Sequence, residues 1–218
     1  MGYLKFKRII DLFLSIIGLI VLAPLFLLLM IAIKIDSKGP VFFRQKRMGI
    51  HKTYFNLLKF RTMRIDAPKD TPTHLLEDPE RYITKVGKFL RKTSLDELPQ
   101  LWNILIGQMS IIGPRPALWN QHDLIAERDK YGANDVPVGL TGWAQVNGRD
   151  ELPIEIKAKL DGEYAEKIGF QMDIKCFFMT INGVLKGDGV VEGKTGIAKS
   201  NKVAATKETD SPKYSIKL

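Results

Sequence analysis

The feature that most constrains this chain is an uncharged, largely apolar run of 22 residues from Leu12 to Ile33, LFLSIIGLIVLAPLFLLLMIAI. A straight helix rises about 1.5 Å per residue, so this run would be about 33 Å long, and a bilayer's hydrocarbon core is about 30 Å thick. A signal peptide usually has an apolar core of about 7–15 residues and a small-x-small cleavage site, which is not seen after this run. Few helices of globular proteins are apolar on every face for this length. The run therefore predicts a membrane-embedded segment.

Basic residues flank this segment on both sides, and the positive-inside rule then places both of its ends in the cytoplasm. One helix satisfies that rule only by entering and leaving on the same face. Ala23 and Pro24 lie near the middle, where a proline removes a backbone donor and bends a helix. A re-entrant helix-break-helix and a kinked spanning helix both fit, because prolines are tolerated within membranes. The flanking basic residues are Lys5, Lys7, Arg8, Lys34, Lys38, Arg44, Lys46 and Arg47.

The rest of the chain predicts a mostly α protein with a small β-hairpin element. Residues 40–65 alternate apolar and basic positions around the turn RMGIHK, which is typical of a hairpin. Helical spacing predicts helices over 83–92, from the stretch at 93–103 to about 107, and over 117–131, 154–168 and 172–186. The last of these suits either the membrane interface or the core. A glycine-rich loop is expected at 137–149.

These elements divide the chain into three parts. Residues 1–38 form the membrane segment, 39–189 a cytosolic α/β-type globular domain with interfacial amphipathic helices, and 190–218 a polar, partly disordered tail.

The charge of the chain favours a polyanionic partner. Lys and Arg total 33 against 24 Asp and Glu, which gives a net charge of +9. Nucleic acid, an acidic membrane surface and a phosphorylated substrate all fit this balance. A nucleic-acid-binding protein would not need the apolar segment, and no recognised binding motif is present, so nucleic acid is not expected. The single cysteine, Cys176, lies in an apolar run and is expected to be a small buried or membrane-facing hydrophobe.

The stretch TSLDELPQLWN at 93–103 has two interpretations. Ser94 could cap a helix with Glu97, three residues on, as its capping-box partner. Asp96 and Glu97 could equally be a catalytic acidic pair at a helix N-terminus. The local sequence leaves both open.

Basic residues in rigid settings surround this acidic pair along the sequence. Arginine's planar fork suits bidentate phosphate binding, and adjacent carboxylates are suitable ligands for Mg²⁺. Together they predict a diphosphate site with Asp96 and Glu97 as metal ligands. The candidate phosphate ligands are Lys59, Arg61, Arg91, Arg115 and Arg149.

Several motifs in a fixed order resemble those of the bacterial sugar transferases, specifically the small monotopic phosphoglycosyl transferases. They are the apolar helix with its central proline, KFRTM at 59–63, LRKTSLDELPQLWNIL at 90–105, MSIIGPRP at 109–116, GWAQVNGR at 142–149 and LDGEYAEKIGFQMDIK at 160–175. The resemblance covers about residues 5–195.

The resemblance implies a two-step exchange at the cytoplasmic face of the bacterial inner membrane. Asp96 would attack the β-phosphate of a UDP-sugar, release UMP and hold the phosphosugar covalently. Undecaprenyl phosphate would then take the phosphosugar. Glu97 is expected to hold Mg²⁺, the membrane segment to be re-entrant, and the sugar to be an N-acetylated amino sugar. The glycan would be a capsule, O-antigen or glycoprotein glycan.

Further expected partners are phospholipids of the cytoplasmic leaflet, downstream glycosyltransferases and a second copy in a homodimer. The chain departs from the family pattern at Ala23, where members often have serine, and at Pro137–Gly139, where members often have Arg-Pro-Gly. Two other functions remain open: a membrane glycosyltransferase that releases UDP, and a non-catalytic scaffold of a polysaccharide complex.

Overall fold

The computed structural model describes residues 2–68, 78–148 and 152–186. The expected tail at 190–218 and Arg149 lie outside these residues. In chain order the helices are α1 (Gly2–Val21), α2 (Ala23–Asp36), α3 (Lys85–Lys92), α4 (Gln100–Leu105), α5 (His122–Asp129), α6 (Trp143–Val146), α7 (Ile154–Glu166) and α8 (Phe170–Lys186). The strands are β1 (Phe42–Met48), β2 (Tyr54–Phe60), β3 (Ser110–Ile112) and β4 (Gly139–Thr141). The prediction of a mostly helical protein with a small two-stranded sheet is confirmed.

The apolar segment forms a bent pair of helices. The axes of α1 and α2 differ by 61°. The break falls at Leu22, directly before Ala23 and Pro24, and Pro24 lies in the first turn of α2, where its missing N–H is tolerated. Within the described residues, neither helix alone has the length and hydropathy needed to cross a bilayer, whereas the bent pair together does.

One face of α1 is polar and buried against the globular part of the chain. Tyr3, Lys7 and Asp11 follow one another at intervals of four residues and therefore lie on the same face. Lys7 and Tyr3 both donate to the carboxylate of Asp173 in α8, the latter at 2.7 Å. Asp11 accepts the backbone N–H of Ile111 in β3 at 3.0 Å. These contacts attach the apolar helix to the rest of the protein.

Arg8 adds a second attachment at the end of α4. Its guanidinium donates to the carbonyls of Ile104 and Leu105, the latter at 2.7 Å. Lys7 and Arg8 therefore make internal contacts. Two of the three basic residues counted before the apolar run thus hold the fold together, and Asp173 offsets the charge of Lys7.

The predicted hairpin is present as an antiparallel pair of β1 and β2, in register from Phe42 opposite Phe60 to Met48 opposite Tyr54. A second, parallel pair of β3 and β4 was not predicted. Its strand β4 lies in the segment expected to be a glycine-rich loop, 137–149, which also contains α6. The two backbones approach so closely near this pair that a Cβ on Gly142 would lie 2.0 Å from the carbonyl oxygen of Gly113.

Small apolar clusters join these elements. In one, Leu29 and Ile33 of α2 pack with Phe60 of β2 and Leu90 of α3. In another, Leu57 of β2 packs with Ile104 of α4 and with Val138, the residue before β4. A third cluster contains the fully buried Cys176. The sequence predicted a buried or a membrane-facing side chain, and the first of these is observed. Burial raises the pKa of this thiol to about 11. Strand β2 is thus held on one side by the membrane segment and on the other by α4.

Arg61 stabilises the end of α2. Its buried guanidinium donates to the carbonyls of Ser37 and Lys38, each at 2.7 Å, and to the Ser37 hydroxyl at 3.0 Å. Carbonyls at a helix C-terminus lack intrahelical partners, and a cation there also interacts favourably with the helix dipole. The described hydrogen bonds of Arg61 thus stabilise the C-terminal end of α2.

We expect Arg61→Met to destabilise the protein by about 2–3 kcal/mol, because the carbonyls of Ser37 and Lys38 lose a charged hydrogen-bond donor. Thermal unfolding of the purified protein measures this loss. Arg44→Met, at an exposed position of β1, is the matched control and should change stability by less than about 0.5 kcal/mol. An Arg61 variant as stable as that control would contradict the capping role.

Candidate active site

The acidic pair lies in a tight turn between α3 and α4. Ser94 adopts a left-handed conformation (φ 56°), and Leu95–Glu97 form one turn of 3₁₀ helix. Ser94 makes no side-chain capping bond, and α4 begins only at Gln100. The prediction that Ser94 caps a helix with Glu97 as its partner was therefore wrong. The left-handed residue reverses the chain at the end of α3 and directs both acids towards β2.

Asn103 fixes α4, and with it this turn, against the outer edge of β2. Its side-chain amide donates to the carbonyl of Asn56 at 2.8 Å, and its side-chain oxygen accepts the N–H of Leu58 at 2.9 Å. Buried backbone groups of an edge strand need such partners. Lys59, the next residue of β2, is thereby placed beside the acidic pair.

Two cations hold Glu97. Lys59 Nζ lies 2.7 Å from Glu97 Oε1, and the guanidinium of Arg115 contacts both carboxylate oxygens, with Nη1 3.3 Å from Oε2. Burial alone would raise the pKa of Glu97, but the charges and hydrogen bonds of Arg115 and Lys59 hold this pKa well below its ordinary value. Glu97 is therefore a fixed anion that orients both cations.

Asp96 differs sharply from its neighbour. Only 7% of Asp96 is exposed, and within the described residues its carboxylate accepts no hydrogen bond; Lys59 Nζ lies 3.7 Å from its Oδ2. Burial raises the pKa of Asp96 above its ordinary value, while the charges of Lys59, Arg91 and Arg115 act against this and that of Glu97 adds to it. Ionised beside these cations, Asp96 has oxygen lone pairs available to react or to bind a metal.

The backbone of Arg115 is held by its neighbouring prolines and by Arg128 of α5. Pro114 and Pro116 restrict its chain, and its carbonyl accepts from Arg128 Nη2 at 3.0 Å. Arg128 is in turn paired with Asp161 of α7, with Nε 2.8 Å from Oδ2, and both side chains are almost completely buried. This buried pair sets the position from which Arg115 reaches Glu97.

The structure brings together most of the residues predicted for the site. Lys59 and Arg115 contact the acidic pair directly, and Arg91, half-buried at the end of α3, is close enough to lower the pKa of Asp96. Arg61 is not brought to the pair, since its described hydrogen bonds go to the end of α2.

Sequence reasoning missed three residues that position the site: Asn103, Arg128 and Asp161. Asn103 and Asp161 lie within motifs noted above, but only tertiary contacts show what they bind. Arg128 had no signal beyond its place in a predicted helix.

The donor set fits a magnesium ion in part. Within the described residues there is no group of three or more Asp, Glu, His or Cys side chains arranged for a metal. Mg²⁺ nevertheless needs only one or two carboxylates when substrate phosphates and water supply its other ligands. Asp96 has oxygens available for this, whereas Glu97 would have to exchange contacts with Lys59 or Arg115. A magnesium site at this pair remains a prediction.

The chain is similar to known proteins over most of its length. The family model described as "Bacterial sugar transferase" matches residues 2–187. The uncharacterized sugar transferase EpsL of Bacillus subtilis is 39% identical over 184 residues, covering 84% of this chain and 89% of that protein. The exopolysaccharide production protein ExoY of Sinorhizobium fredii is 36% identical, covering 84% of this chain and 87% of that protein.

Longer relatives match over part of their length. The undecaprenyl-phosphate glucose phosphotransferase of Komagataeibacter xylinus is 41% identical over 187 residues, which cover 80% of this chain but 35% of that protein. The chain thus spans about a third of the length of this relative. The family model and the relatives matched over most of both chains lead to one conclusion: the chain belongs to the bacterial sugar transferase family.

Proposed function

We propose that this protein transfers a sugar 1-phosphate from a UDP-sugar to undecaprenyl phosphate and releases UMP. Names such as undecaprenyl-phosphate glucose phosphotransferase, carried by relatives at about 40% identity, support the reaction class. The observation that carries the mechanism is the contrast within the acidic pair: Glu97 is held by two cations, whereas Asp96 accepts no hydrogen bond within the described residues. An N-acetylated amino sugar is our proposed donor, and the glucose named for the relatives is the second candidate.

The first step forms an aspartyl phosphosugar. An Asp96 Oδ attacks the β-phosphorus, and the bond from that phosphorus to the oxygen bridging the two phosphates breaks, so UMP leaves with the bond electrons. Covalent catalysis of this kind divides one difficult transfer into two easier ones. Burial favours the attack, because the carboxylate is less solvated than in water.

The second step returns Asp96 to its initial state. A phosphate oxygen of undecaprenyl phosphate attacks the same phosphorus, and the bond from phosphorus to the Asp96 oxygen breaks. Lys59, Arg91 and Arg115 offset negative charge on the transferring group in both steps. Glu97 keeps Lys59 and Arg115 in place, so they need not reorganise during the reaction.

Asp96, with Glu97 after an exchange of contacts, would hold Mg²⁺ together with the diphosphate. When bound, this ion would neutralise charge on the phosphate oxygens.

We further propose that the bent pair α1–α2 is re-entrant, so that both ends face the cytoplasm at the bacterial inner membrane. The 61° bend and the polar contacts of α1 with β3 and α8 support this. A spanning α1 would take its N-terminal residues to the other side of the membrane and away from Asp173.

The proposed reaction predicts UMP release on incubation with undecaprenyl phosphate and a panel of UDP-N-acetylglucosamine, UDP-N-acetylgalactosamine, UDP-glucose and UDP-galactose. Asp96→Asn should lower UMP release by about 10³-fold or more, because an amide is a poor nucleophile. The covalent phosphosugar adduct, detected by mass spectrometry of the intact protein, should disappear with it. Asp123→Asn, an exposed change in the first turn of α5, should retain both signals.

Release of UDP would favour a glycosyltransferase, and an active Asp96→Asn variant would contradict the nucleophile assignment. If neither UMP nor UDP is released from any donor in the presence of undecaprenyl phosphate, the non-catalytic scaffold would be favoured.

The pH dependence should report the ionisation of Asp96. Because burial raises its pKa, kcat/KM should fall on acidification at a higher pH than an ordinary aspartate would give. Lys59 lowers this pKa, so Lys59→Met should move the acidic limb to still higher pH. The rate profile of UMP release measures the shift. Lys130→Met, at an exposed position outside the site, should leave the limb unchanged, and an unmoved limb in Lys59→Met would contradict the assignment.

The topology predicts cytoplasmic access at both ends of the helix pair. Single cysteines at Gly2→Cys and Arg44→Cys should resist a membrane-impermeant thiol reagent in spheroplasts and react once the membrane is opened. The native Cys176 is fully buried and should give little background. Labelling of one position alone in sealed spheroplasts would instead indicate a spanning segment.

A further inference from the structure

A cleft of about 700 Å³ lies between the end of α2 and the start of α3. Four basic side chains line it: Lys38, Arg64, Arg81 and Lys85. None of them belongs to the site around Asp96. Lys85 begins α3 and Arg91 lies near its other end, so the two regions are separated by about 9 Å along the helix.

The charge of this cleft is only partly neutralised. Arg64 donates to both carboxylate oxygens of Asp66, at 3.1 and 2.9 Å, and is therefore already paired. Asp36 accepts the backbone N–H of Val86 at 3.0 Å, which fixes its carboxylate at the start of α3.

The other three basic side chains of the cleft are available. Lys38, Arg81 and Lys85 are exposed, and across the described ranges none has a side-chain hydrogen bond or ion pair. Three cations therefore face one fixed carboxylate. This excess of positive charge favours an anionic ligand, and a phosphate group can accept charge-assisted hydrogen bonds from several of them at once.

Exposed apolar side chains occur in the lining of the cleft and on α2, whose last residue, Asp36, also lines it. Ile35, in the last turn of α2, is 81% exposed, and Ile65, which lines the cleft, is 62% exposed. Further back along α2, Leu27, Leu28 and Ile31 are also exposed. A ligand that combines an anionic head with hydrocarbon chains matches this arrangement: the head meets the basic residues while the chains lie along α2.

We propose that this cleft binds the phosphate headgroup of an anionic phospholipid from the membrane in which α1–α2 is embedded. The inference rests on the membrane association in the proposed function, but not on the chemistry at Asp96. A bound lipid would hold the end of α2 and the start of α3 at the membrane surface. Because α3 leads into the turn that carries Asp96, the bound lipid would also fix the height of the catalytic site above the bilayer.

The test uses the full chain purified in an uncharged maltoside detergent and titrated with short-chain phosphatidylglycerol, or with phosphatidylcholine of the same chain length. Binding is followed by the rise in Tm and by lipid adducts in native mass spectrometry. We expect phosphatidylglycerol to bind at least tenfold more tightly than phosphatidylcholine. The triple variant K38Q/R81Q/K85Q should lose this preference.

A matched triple variant, R44Q/K159Q/K167Q, removes the same charge from exposed positions outside the cleft and should keep the preference. Equal binding of the two lipids, or equal loss in both triple variants, would overturn the proposal. Two competition experiments test other anionic ligands, inorganic phosphate and undecaprenyl phosphate. If either displaces phosphatidylglycerol at equal concentration, the headgroup proposal is overturned in favour of that ligand.

UMP release by the same variants is scored separately. Absence of UMP with every donor would refute the proposed function while leaving lipid binding measurable. Absence of the lipid preference in the unmodified protein, with its UMP release intact, would refute only the headgroup site.

Discussion

The polar face of α1 is the interaction on which the rest of the structure depends. Many apolar side chains of α1 are exposed, whereas its buried polar groups hydrogen-bond to the globular part of the chain. Lys7 and Tyr3 meet the Asp173 carboxylate, which also accepts from the Tyr164 hydroxyl at 2.7 Å, so a single carboxylate connects α1, α7 and α8. Removing Lys7 or Asp173 would leave the other as an uncompensated buried charge, which typically costs about 3–5 kcal/mol. The same network therefore holds α1 on the globular part of the chain.

From this attachment the constraints continue inward to the acidic pair. Apolar packing holds β2 between α2 and α4, and Asn103 satisfies the outer edge of β2. The turn before α4 then meets Lys59 on one side and Arg115 on the other. Two adjacent carboxylates thus receive opposite environments: Glu97 is stabilised as an anion by direct ion pairs, while burial raises the pKa of Asp96. That difference is the physical basis for giving them different tasks.

The comparison of prediction with structure shows where local patterns fail. Ser94 and Glu97 have the spacing of a capping box, yet Ser94 is left-handed and the acids precede the α-helix. Pro99 explains part of this, because it has no N–H to donate to the carbonyl of Leu95 and so cannot continue an α-helix begun at Ser94. Arg61 and Lys59 lie two positions apart, and the sequence predicted both as phosphate ligands. In the structure Lys59 contacts Glu97, whereas Arg61 binds carbonyls at the end of α2. Arg61 follows the last residue of β2, and sequence spacing does not determine side-chain direction there. The direction seen in the structure makes Arg61 a helix cap and not a ligand of the acidic pair's site.

By itself, the sequence determined the bent apolar segment, the hairpin, the main helices and the acidic pair, because each depends on residues close together in the chain. Only the tertiary structure decided which cations reach Glu97, which arginine caps α2, and that Arg128 and Asp161 position Arg115. It also revealed the basic cleft, whose lining comes from three separate segments around residues 38, 64 and 85. Contacts between distant segments depend on packing geometry and desolvation, and neither follows from the spacing of residue types.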